Sequence, residues 1–342
     1  MLLLKDQTLL KTQSLIDNQW TDATTGDTID VTNPFDNQVI ATIPSLEKSQ
    51  VIDAVAIAHK AQIDWAQKTA NERAAILNNW ADLIDQNKED LATIMTAEQG
   101  KPITESRGEI GYANSFIRWF AEEGKRIYGD IIPSTNKDLR YVVLKQPIGV
   151  CAAITPWNFP AAMITRKVAP ALAAGCSIIV KPATETPLTA LALGELAIRA
   201  GLPAGLLQIV TGKSSVIGEV LTQDERIHKL SFTGSTEVGR VLMSQCASTV
   251  KKLSMELGGN APFIIFDDAD LEKAATGLIA SKYRNAGQTC VCANRVYVQS
   301  SIKDKFLAIF KQKVEALKVG NGMTEGVNIG PLINQGAMDK VE

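Results

Sequence analysis

Two segments of this sequence carry side chains that could form and then hydrolyse a thioester. The first, Met-Glu-Leu-Gly-Gly-Asn, contains Glu256, and the second, Asn-Ala-Gly-Gln-Thr-Cys-Val-Cys-Ala-Asn, contains Cys290 and Cys292. A cysteine thiolate is a nucleophile that forms covalent intermediates, and a carboxylate can act as the general base toward water. A cysteine is more often a small buried hydrophobic residue, so a nucleophilic role for Cys290 depends on motifs elsewhere in the chain.

The overall composition is that of an ordinary soluble protein. The chain has 342 residues, of which 45% are apolar and 21% charged, and its net charge is −2. This length exceeds one compact core, so we expect about two domains. No basic stripe suggests nucleic acid or an anionic membrane, and no segment has the length of a membrane span or a signal-peptide core. Five cysteines, an odd number, fit a reducing cytoplasmic compartment better than a disulfide framework.

Several common kinds of site are excluded by the residues that they would need. The only histidines are His59 and His228, which is too few for the usual zinc sites, so we expect no metal. The Gly-x-Ser-x-Gly motif of a serine hydrolase does not occur. Gly-Lys-Ser at 212–214 resembles the end of a phosphate-binding P-loop, but Leu207 stands where that loop requires a glycine.

The elements that position these side chains form the pattern of an α/β protein. Helical spacing of apolar residues predicts a helix over 71–100, ended by Gly100 and Pro102. From residue 141 onward short apolar strands alternate with helices, which predicts a parallel sheet covered on both faces. The predicted strands are 150–155, 177–181, 207–210 and 229–233, and the predicted helices are 161–174, 188–200, 215–221 and 238–247. Residues 128–146 interrupt this pattern and predict a twisted polar hairpin, an arm for subunit contacts.

Ligands of such sheets bind at the carboxyl ends of the strands, where this sequence has distinctive loops. Thr-Pro-Trp-Asn-Phe-Pro at 155–160 fixes Asn158 between two prolines, where its amide could hold a developing oxyanion; the alternative is a turn with Trp157 as packing. Lys181 leaves a strand where it could reach ribose or phosphate, or simply be solvated. Gly-Ser-Thr-Glu-Val-Gly at 234–239 opens a helix, whose N-terminus favours a phosphate, although the segment lacks the Gly-x-Gly-x-x-Gly fingerprint.

In this order and spacing, five motifs resemble the aldehyde dehydrogenase superfamily: Pro-Trp-Asn-Phe-Pro, Lys-Pro-Ala, Phe-Thr-Gly-Ser-Thr-Glu-Val-Gly, Glu-Leu-Gly-Gly and Gly-Gln-Thr-Cys. The stretches at 164–167 and 282–295 narrow the resemblance to the succinate-semialdehyde dehydrogenases. The resemblance implies a Rossmann-type cofactor domain over 1–127 and 147–254, a β-hairpin oligomerisation arm over 128–146, and a partial α/β catalytic domain over 255–342. It further implies a homodimer or homotetramer.

The resemblance also implies a mechanism. Cys290 attacks the aldehyde, and Asn158 with the Cys290 main-chain N–H holds the alkoxide. Hydride then leaves to a nicotinamide, and Glu256 activates the water that hydrolyses the thioester. An ordinary thiol has a pKa near ~8.5 and an ordinary Glu one near ~4.3, so we expect Cys290 to be activated by its surroundings and Glu256 to be partly buried, which would raise its pKa.

Substrate choice is implied by two arginines. Arg166 and Arg284 match the family's carboxylate-binding positions, which favours an aldehyde with an ionised carboxyl group at its other end. A charge-assisted hydrogen bond contributes about 1.5–3 kcal/mol, whereas one methylene changes discrimination by only about 1–3 kcal/mol. Succinate semialdehyde is therefore the favoured substrate and glutarate semialdehyde the alternative. If the arginines form surface ion pairs instead, this inference does not hold.

The cofactor prediction depends on Thr184, which stands where NAD-preferring relatives commonly carry a glutamate. A neutral hydroxyl does not repel a 2′-phosphate, and Lys181 neutralises it, so NADP is favoured; Glu185, one place further on, leaves NAD open. The family motifs place the cofactor against Thr155, Pro156, Trp157, Lys181, Ala183, Thr184, Gly234, Ser235, Gly239 and Leu257.

Two further features qualify this interpretation. Cys292 could form a redox switch with Cys290, although a packing role is equally consistent with its position. The sequence ends at Glu342, before the family's Glu-x-Phe-Gly-Pro motif, a late substrate-binding serine and the last strand. Two other hypotheses therefore remain open: a non-catalytic fragment that at most binds nucleotide, and a thiol switch, which would leave the five motifs unexplained.

Overall fold

The computed structural model describes residues 2–342. Its first part contains β1 (Ser14–Ile16), β2 (Gln19–Thr21), β3 (Thr28–Thr32), β4 (Val39–Pro44), α1 (Lys48–Gln67), α2 (Ala70–Gln86), α3 (Lys88–Gln99), α4 (Ile103–Glu123), β5 (Asp130–Ile132) and β6 (Tyr141–Val143). The second part contains β7 (Val150–Ile154), α5 (Ala162–Ala173), β8 (Ser177–Lys181), α6 (Leu188–Arg199), β9 (Leu207–Ile209), α7 (Ser214–Gln223), β10 (Ile227–Thr233), α8 (Thr236–Cys246) and β11 (Lys252–Glu256). The chain then continues through β12 (Ala261–Ile265), α9 (Leu271–Lys282), β13 (Ala293–Val298), α10 (Lys303–Glu315) and α11 (Gln335–Val341).

A seven-stranded sheet in the order β11-β10-β7-β8-β9-β1-β2 forms the framework of the larger unit. The strands from β11 to β9 are parallel, and β1 and β2 extend the sheet in antiparallel fashion. The predicted parallel sheet is therefore confirmed. Because the parallel strands point the same way, the loops after β7, β8 and β10 meet at one edge of the sheet.

Both faces of this sheet are buried. On β7, Cys151 and Ala153 face the core formed mainly by α2 to α6, whereas Val150 and Ala152 face the core formed with α1, α7 and α8. Successive side chains of a strand point to opposite faces, which is why a strand covered on both sides is apolar throughout.

The single helix predicted over 71–100 is in fact two helices, α2 and α3, so the prediction of one continuous helix is wrong. Asn87 separates α2 from α3, and its side-chain amide donates to the Leu83 carbonyl at 2.8 Å, which satisfies a helix-end acceptor. The predicted end at Gly100 is confirmed. Gly100 has a φ of 90°, and an added Cβ would lie 2.8 Å from the Pro331 ring, so this turn requires glycine.

A smaller unit follows β11. Strands β12 and β13 pair in parallel and pack with α9 and α10 around a separate core, whose buried members are Ile265, Ala275, Leu278, Ala293 and Phe306. Strand β11 still belongs to the large sheet, so the change from one sheet to the other falls after its last residue, Glu256.

The predicted hairpin at 128–146 is present as the antiparallel pair β5 and β6. Ile131 lies opposite Val142, and the two are 76% and 62% exposed. The predicted polar character is therefore wrong for the paired strands, and an apolar pair this exposed is typical of a contact surface. Among residues 2–342, no helix combines the length and apolar character that crossing a membrane requires.

Candidate active site

Cys290 lies at the surface in the segment that connects α9 to β13. Just before it, Asn285, Ala286 and Gly287 have positive φ values of 52°, 55° and 78°. This conformation is costly for residues other than glycine, so surrounding contacts have to maintain it. Asn285 supplies such contacts, since it is 1% exposed and its side chain is hydrogen-bonded through both its oxygen and its nitrogen. The nucleophile candidate therefore follows a turn that buried hydrogen bonds hold in place.

The loop after Glu256 lies beside the Cys290 segment. Strands β12 and β13 pair with Ala261 opposite Ala293, so the segments that precede them are neighbours. An ideal Cβ on Gly259 would lie 3.7 Å from the main-chain oxygen of Cys290. The two segments that the sequence singled out are thus brought into van der Waals range of each other at Gly259 and Cys290.

The expected partial burial of Glu256 is wrong. Its side chain is exposed, because β11 is the edge strand of the sheet and Glu256 is its last residue. The same residue also lines a cavity of about 510 Å³ together with Lys167, Lys229 and Ser231. A carboxylate at the mouth of a cavity has access to water, which a base for hydrolysis needs.

Asn158 follows β7 and points toward the same segment. Its side-chain nitrogen donates to the Gln288 carbonyl at 2.9 Å, two residues before Cys290. An amide nitrogen carries two hydrogens, so this bond fixes the orientation of the group and leaves one N–H for another acceptor. The predicted oxyanion role of Asn158 stays a prediction, and this free donor near the Cys290 segment is the feature that such a role needs.

Sequence reasoning missed a buried polar network beneath this loop. Lys101 forms an ion pair with Glu109 at 2.6 Å and donates to the Asn158 carbonyl at 2.7 Å. Gln99 donates to the Asn285 side-chain oxygen at 2.9 Å, and the Asn285 side-chain nitrogen donates to the Asn158 carbonyl at 3.0 Å. A lysine after a helix-ending glycine gives no sequence signal, because most lysines are solvated.

The ends of β7 and β8 form one side of the predicted cofactor site. The Thr155 amide donates to the Lys181 carbonyl at 3.1 Å, which joins the two strand ends. Thr155 Oγ1 is buried and has no hydrogen-bond partner within residues 2–342, as expected where a polar ligand supplies one. The Lys181 ammonium donates to Thr184 Oγ1 at 3.3 Å, and burial lowers the Lys181 pKa to about 8.

Pro156 and Trp157 are half-buried in this loop, and Ala183 is buried beside Lys181. These three uncharged side chains lie next to the two polar groups just described, the Thr155 hydroxyl and the Lys181 ammonium. Glu185 is close enough to raise the pKa of Lys181 electrostatically, against the larger effect of burial. Both side chains that bear on the choice between NADP and NAD, Thr184 and Glu185, therefore act on the same lysine.

The end of β10 forms the other side of the predicted cofactor site. Thr233 Oγ1 is buried and also lacks a partner within residues 2–342. Ser235 caps α8, accepting from the Val238 N–H at 3.3 Å. The cap satisfies one N–H of the first turn and leaves others directed out of the helix, where the helix dipole favours an anion. Unpartnered hydroxyls, a lysine and a helix N-terminus at one sheet edge fit a phosphate-containing dinucleotide.

Two glycines at the start of α8 have neighbouring side chains in the space that a Cβ would occupy. A Cβ on Gly234 would lie 2.4 Å from the Phe232 ring, and one on Gly239 would lie 2.7 Å from Leu257. Leu257 therefore packs against the first turns of α8. This contact ties the loop after Glu256 to the predicted cofactor edge.

Arg166 and Lys167 project from α5 into the cavity that Glu256 lines. The Arg166 guanidinium lies 4.8 Å from the centre of the Phe116 ring. Burial lowers the pKa of Lys167 to about 8, the charge of Arg166 acts in the same direction, and the ammonium donates to Ser231 Oγ at 3.0 Å. This end of the site is cationic.

Arg284 lines a different cavity, of about 450 Å³, with Phe159, Glu105 and Lys101. Its guanidinium lies 4.7 Å from the centre of the Phe159 ring. The two predicted carboxylate-binding arginines therefore stack on separate aromatic rings and do not line a common cavity. Neither forms an ion pair among residues 2–342, which removes the structural alternative of surface ion pairs.

Cys292 is buried, unlike Cys290. Its sulfur lies 3.3 Å from both the Gly287 carbonyl and the Asn294 side-chain oxygen. These contacts give Cys292 a packing role in the turn before Cys290. A disulfide between the two cysteines would break them, and the redox switch stays a prediction.

Comparison with known proteins now decides the family. Residues 20–342 match the model described as the aldehyde dehydrogenase family. The chain belongs to the aldehyde dehydrogenase family. It shares 57% identity over 339 residues with the NADP-dependent succinate-semialdehyde dehydrogenase GabD of Escherichia coli, covering 99% of this chain and 70% of that protein. It is also 57% identical to a glutarate-semialdehyde dehydrogenase of Pseudomonas putida, covering 99% of this chain and 71% of that protein.

Among solved structures, an aldehyde dehydrogenase of Brucella melitensis biovar abortus has 62% sequence identity and a TM-score of 0.99. The match covers 100% of this chain and 71% of that one. The predicted aldehyde dehydrogenase fold is therefore confirmed, as is the reaction class that goes with the family, oxidation of an aldehyde to an acid.

Proposed function

We propose that this aldehyde dehydrogenase oxidises succinate semialdehyde to succinate with reduction of NADP. The observation that carries the proposal is the meeting of the Cys290 segment, the loop after Glu256 and the side chain of Asn158. A nucleophile, a base and an oxyanion donor are the groups that acyl chemistry through a thioester needs.

In the proposed reaction the Cys290 thiolate attacks the aldehyde carbon and forms a thiohemiacetal. The free N–H of the Asn158 amide and the Cys290 main-chain N–H stabilise the alkoxide. Lys181, Thr184 and the first turn of α8 would hold NADP, which would supply the hydride acceptor needed for oxidation of the thiohemiacetal carbon to a thioester. Glu256 removes a proton from water, which attacks the thioester; the carboxylic acid leaves and the Cys290 thiolate is regenerated. One aldehyde, one water and one oxidised cofactor give one acid, one reduced cofactor and one proton.

The substrate proposal rests on two cations and on the relatives. Arg166 lines the same cavity as Glu256, and Arg284 lines the other cavity together with Phe159. A substrate that reaches either guanidinium from Cys290 gains a charge-assisted hydrogen bond, about 1.5–3 kcal/mol, that a neutral aldehyde does not. Both relatives compared above are named for a semialdehyde, which carries one carboxyl group at the end opposite to the aldehyde. Glutarate semialdehyde remains the second candidate because one relative is named for it at the same identity.

The cofactor proposal rests on the Lys181 and Thr184 pair. Thr184 carries no charge and already contacts the lysine, so a 2′-phosphate would meet a hydroxyl and an ammonium. The relative from Escherichia coli is named for NADP. NAD is the alternative cofactor, because the Glu185 carboxylate also acts on Lys181 and would favour a cofactor without the 2′-phosphate.

For the whole protein we propose a cytoplasmic homodimer or homotetramer that acts on a small aldehyde. The five free cysteines support the compartment, and the exposed apolar strands of the hairpin, β5 and β6, support subunit contacts.

The experiment is NADPH formation by the purified protein with succinate semialdehyde, glutarate semialdehyde and butanal, a neutral aldehyde of matched length. We expect kcat/KM to be highest for succinate semialdehyde, lower for glutarate semialdehyde and lower by at least about tenfold for butanal. Cys290→Ala is the control and should abolish NADPH formation with all three. Equal efficiency with butanal would reject the carboxylate proposal, and no turnover with any aldehyde would favour the nucleotide-binding alternative.

A further inference from the structure

Lys101 is a buried cation whose contacts converge on the loop that carries Asn158. It is 2% exposed, pairs with Glu109 Oε2 at 2.6 Å, and donates to the Asn158 carbonyl at 2.7 Å. Its ammonium also lies 4.2 Å from the centre of the Phe159 ring. An ammonium has three donors, and here they meet a carboxylate, a carbonyl and an aromatic face. Two of these three partners are consecutive residues of one loop.

Glu109 carries the same connection to the other end of that loop. While Oε2 binds Lys101, Oε1 accepts from the main-chain N–H groups of Ala161 at 2.9 Å and Ala162 at 3.2 Å, where α5 begins. A carboxylate at this place satisfies otherwise unpaired donors at a helix N-terminus. The ion pair between Lys101 and Glu109 therefore holds the segment 158–162 at both ends.

The Asn158 carbonyl is fixed by a second donor. The Asn285 side-chain nitrogen contacts it at 3.0 Å, so both lone pairs of this oxygen are used. Asn285 belongs to the left-handed turn before Cys290, and Lys101 follows α3 in the other unit of the molecule. The main chain of Asn158 is thus the point at which the oxyanion loop is joined to the nucleophile segment.

We propose that Lys101, through its ion pair with Glu109, is a positioning residue for the oxyanion-binding amide of Asn158. Burying an ion pair gives little net stability, because desolvation offsets the attraction, so its value lies in fixing one geometry. Lys101 does not touch the reacting atoms. It sets where the Asn158 side chain stands relative to Cys290, and this role rests on the function proposed above.

The test is a double-mutant cycle built from Lys101→Met and Asn158→Ala. Methionine keeps the unbranched aliphatic chain and removes the ammonium. Lys251→Met is the matched control, because Lys251 is also buried, and its ammonium also donates to main-chain carbonyls, that of Ile227 at 2.8 Å and that of Asp224. These carbonyls lie at the end of the sheet opposite to Glu256. The control therefore removes a buried cation without touching the oxyanion loop.

With the wild-type Asn158, we expect Lys101→Met to lower kcat by about 10- to 100-fold, because a misplacement near 1 Å costs that much. KM for NADP should change by less than about twofold. In the Asn158→Ala background the same substitution should lower kcat by less than about threefold, since the group that it positions is already gone. Lys251→Met should leave kcat near wild type in both backgrounds.

Equal losses of kcat from Lys101→Met in the two backgrounds would overturn the proposal, because the lysine would then act independently of Asn158. An equal loss of kcat in Lys251→Met would overturn it as well, because any buried cation would then have the same effect.

A second measurement does not depend on turnover: amide hydrogen exchange of 158–162 and 285–290 should become faster in Lys101→Met and not in Lys251→Met. Unchanged exchange there overturns the positioning role, whereas an inactive wild type with quickened exchange in Lys101→Met counts against the proposed function alone.

Discussion

The side-chain nitrogen of Asn158 donates to the main-chain carbonyl of Gln288 at 2.9 Å, two residues before Cys290. This bond joins the loop after β7 to the segment of the nucleophile and occupies one of the two N–H groups of the amide. The second N–H is the one available to a substrate oxygen. The geometry of the proposed oxyanion site therefore depends on a contact between residues that lie far apart in sequence.

Asn158→Ala should lower kcat by about 10²–10³-fold, the usual effect of removing one oxyanion donor. KM for NADP should stay within about twofold of the wild-type value, because the amide is directed toward the Cys290 segment. Steady-state kinetics with succinate semialdehyde measure both. A loss of kcat below about threefold would mean that another donor stabilises the alkoxide.

Glu256→Gln should separate the two halves of the reaction. The amide cannot remove a proton from water, so acylation of Cys290 should proceed and hydrolysis should stall. Stopped-flow absorbance should show a burst of about one NADPH per Cys290, and intact mass spectrometry should show one succinyl group on the protein. Cys290→Ala, which cannot be acylated, provides the baseline. Continued turnover of Glu256→Gln at the wild-type rate would assign the base to another residue.

Arg166→Ala and Arg284→Ala should each reduce the preference for succinate semialdehyde over butanal. The expected drop in the ratio of kcat/KM values is about 10- to 100-fold for each guanidinium that binds the substrate carboxylate. Arg107→Ala is the control, since this exposed arginine pairs with Glu89 on the surface. Because the two arginines line separate cavities, the single variants also report which cavity takes the carboxylate. If neither ratio moves, the guanidinium groups serve only to stack on their aromatic rings.

Thr184→Glu should convert the cofactor preference. A carboxylate beside the bound 2′-phosphate is repulsive, so we expect kcat/KM for NADP to fall by about 100-fold while that for NAD is retained or increased. Thr184→Val removes the hydroxyl without adding charge and should have a smaller effect. The NADP-to-NAD ratio of kcat/KM is the measurement. An unchanged ratio in Thr184→Glu would place the phosphate elsewhere.

The preference for NADP should also depend on pH. Burial lowers the pKa of Lys181 to about 8, and a lysine is charged below its pKa and neutral above it. The ammonium that attracts the 2′-phosphate is therefore present at neutral pH and is lost as pH rises through about 8. We expect the NADP-to-NAD ratio of kcat/KM to fall above that pH, approaching tenfold per pH unit. Taking the ratio cancels the titration of Lys167 and of any other group that affects turnover with both cofactors alike.

Lys181→Met should have a low NADP-to-NAD ratio at every pH between about 6 and about 9.5, because the titrating group is gone. A ratio that still falls above about pH 8 in this variant would assign the dependence to another group.

Local patterns in the sequence determined much of this protein. Alternating strands and helices predict the parallel sheet, because a strand buried on both faces must be apolar throughout, as Val150 to Ile154 are. The loops after those strands indicate the family, because each loop motif is a short run of consecutive residues that can be recognised in the sequence alone. Gly100 ends α3 as expected, since its positive φ is a local requirement.

Tertiary structure decided what depends on contacts between distant segments. The exposure of Glu256 follows from the edge position of β11, and only the folded structure shows that Arg166 and Arg284 line separate cavities and contact different rings, those of Phe116 and Phe159. The ion pair of Lys101 with Glu109 could not be read from the chain, because the same residue types in the same spacing are usually solvated. Burial of the lysine against the Asn158 loop is a property of the folded molecule, because Lys101, Glu109 and Asn158 meet only when distant segments of the chain pack together.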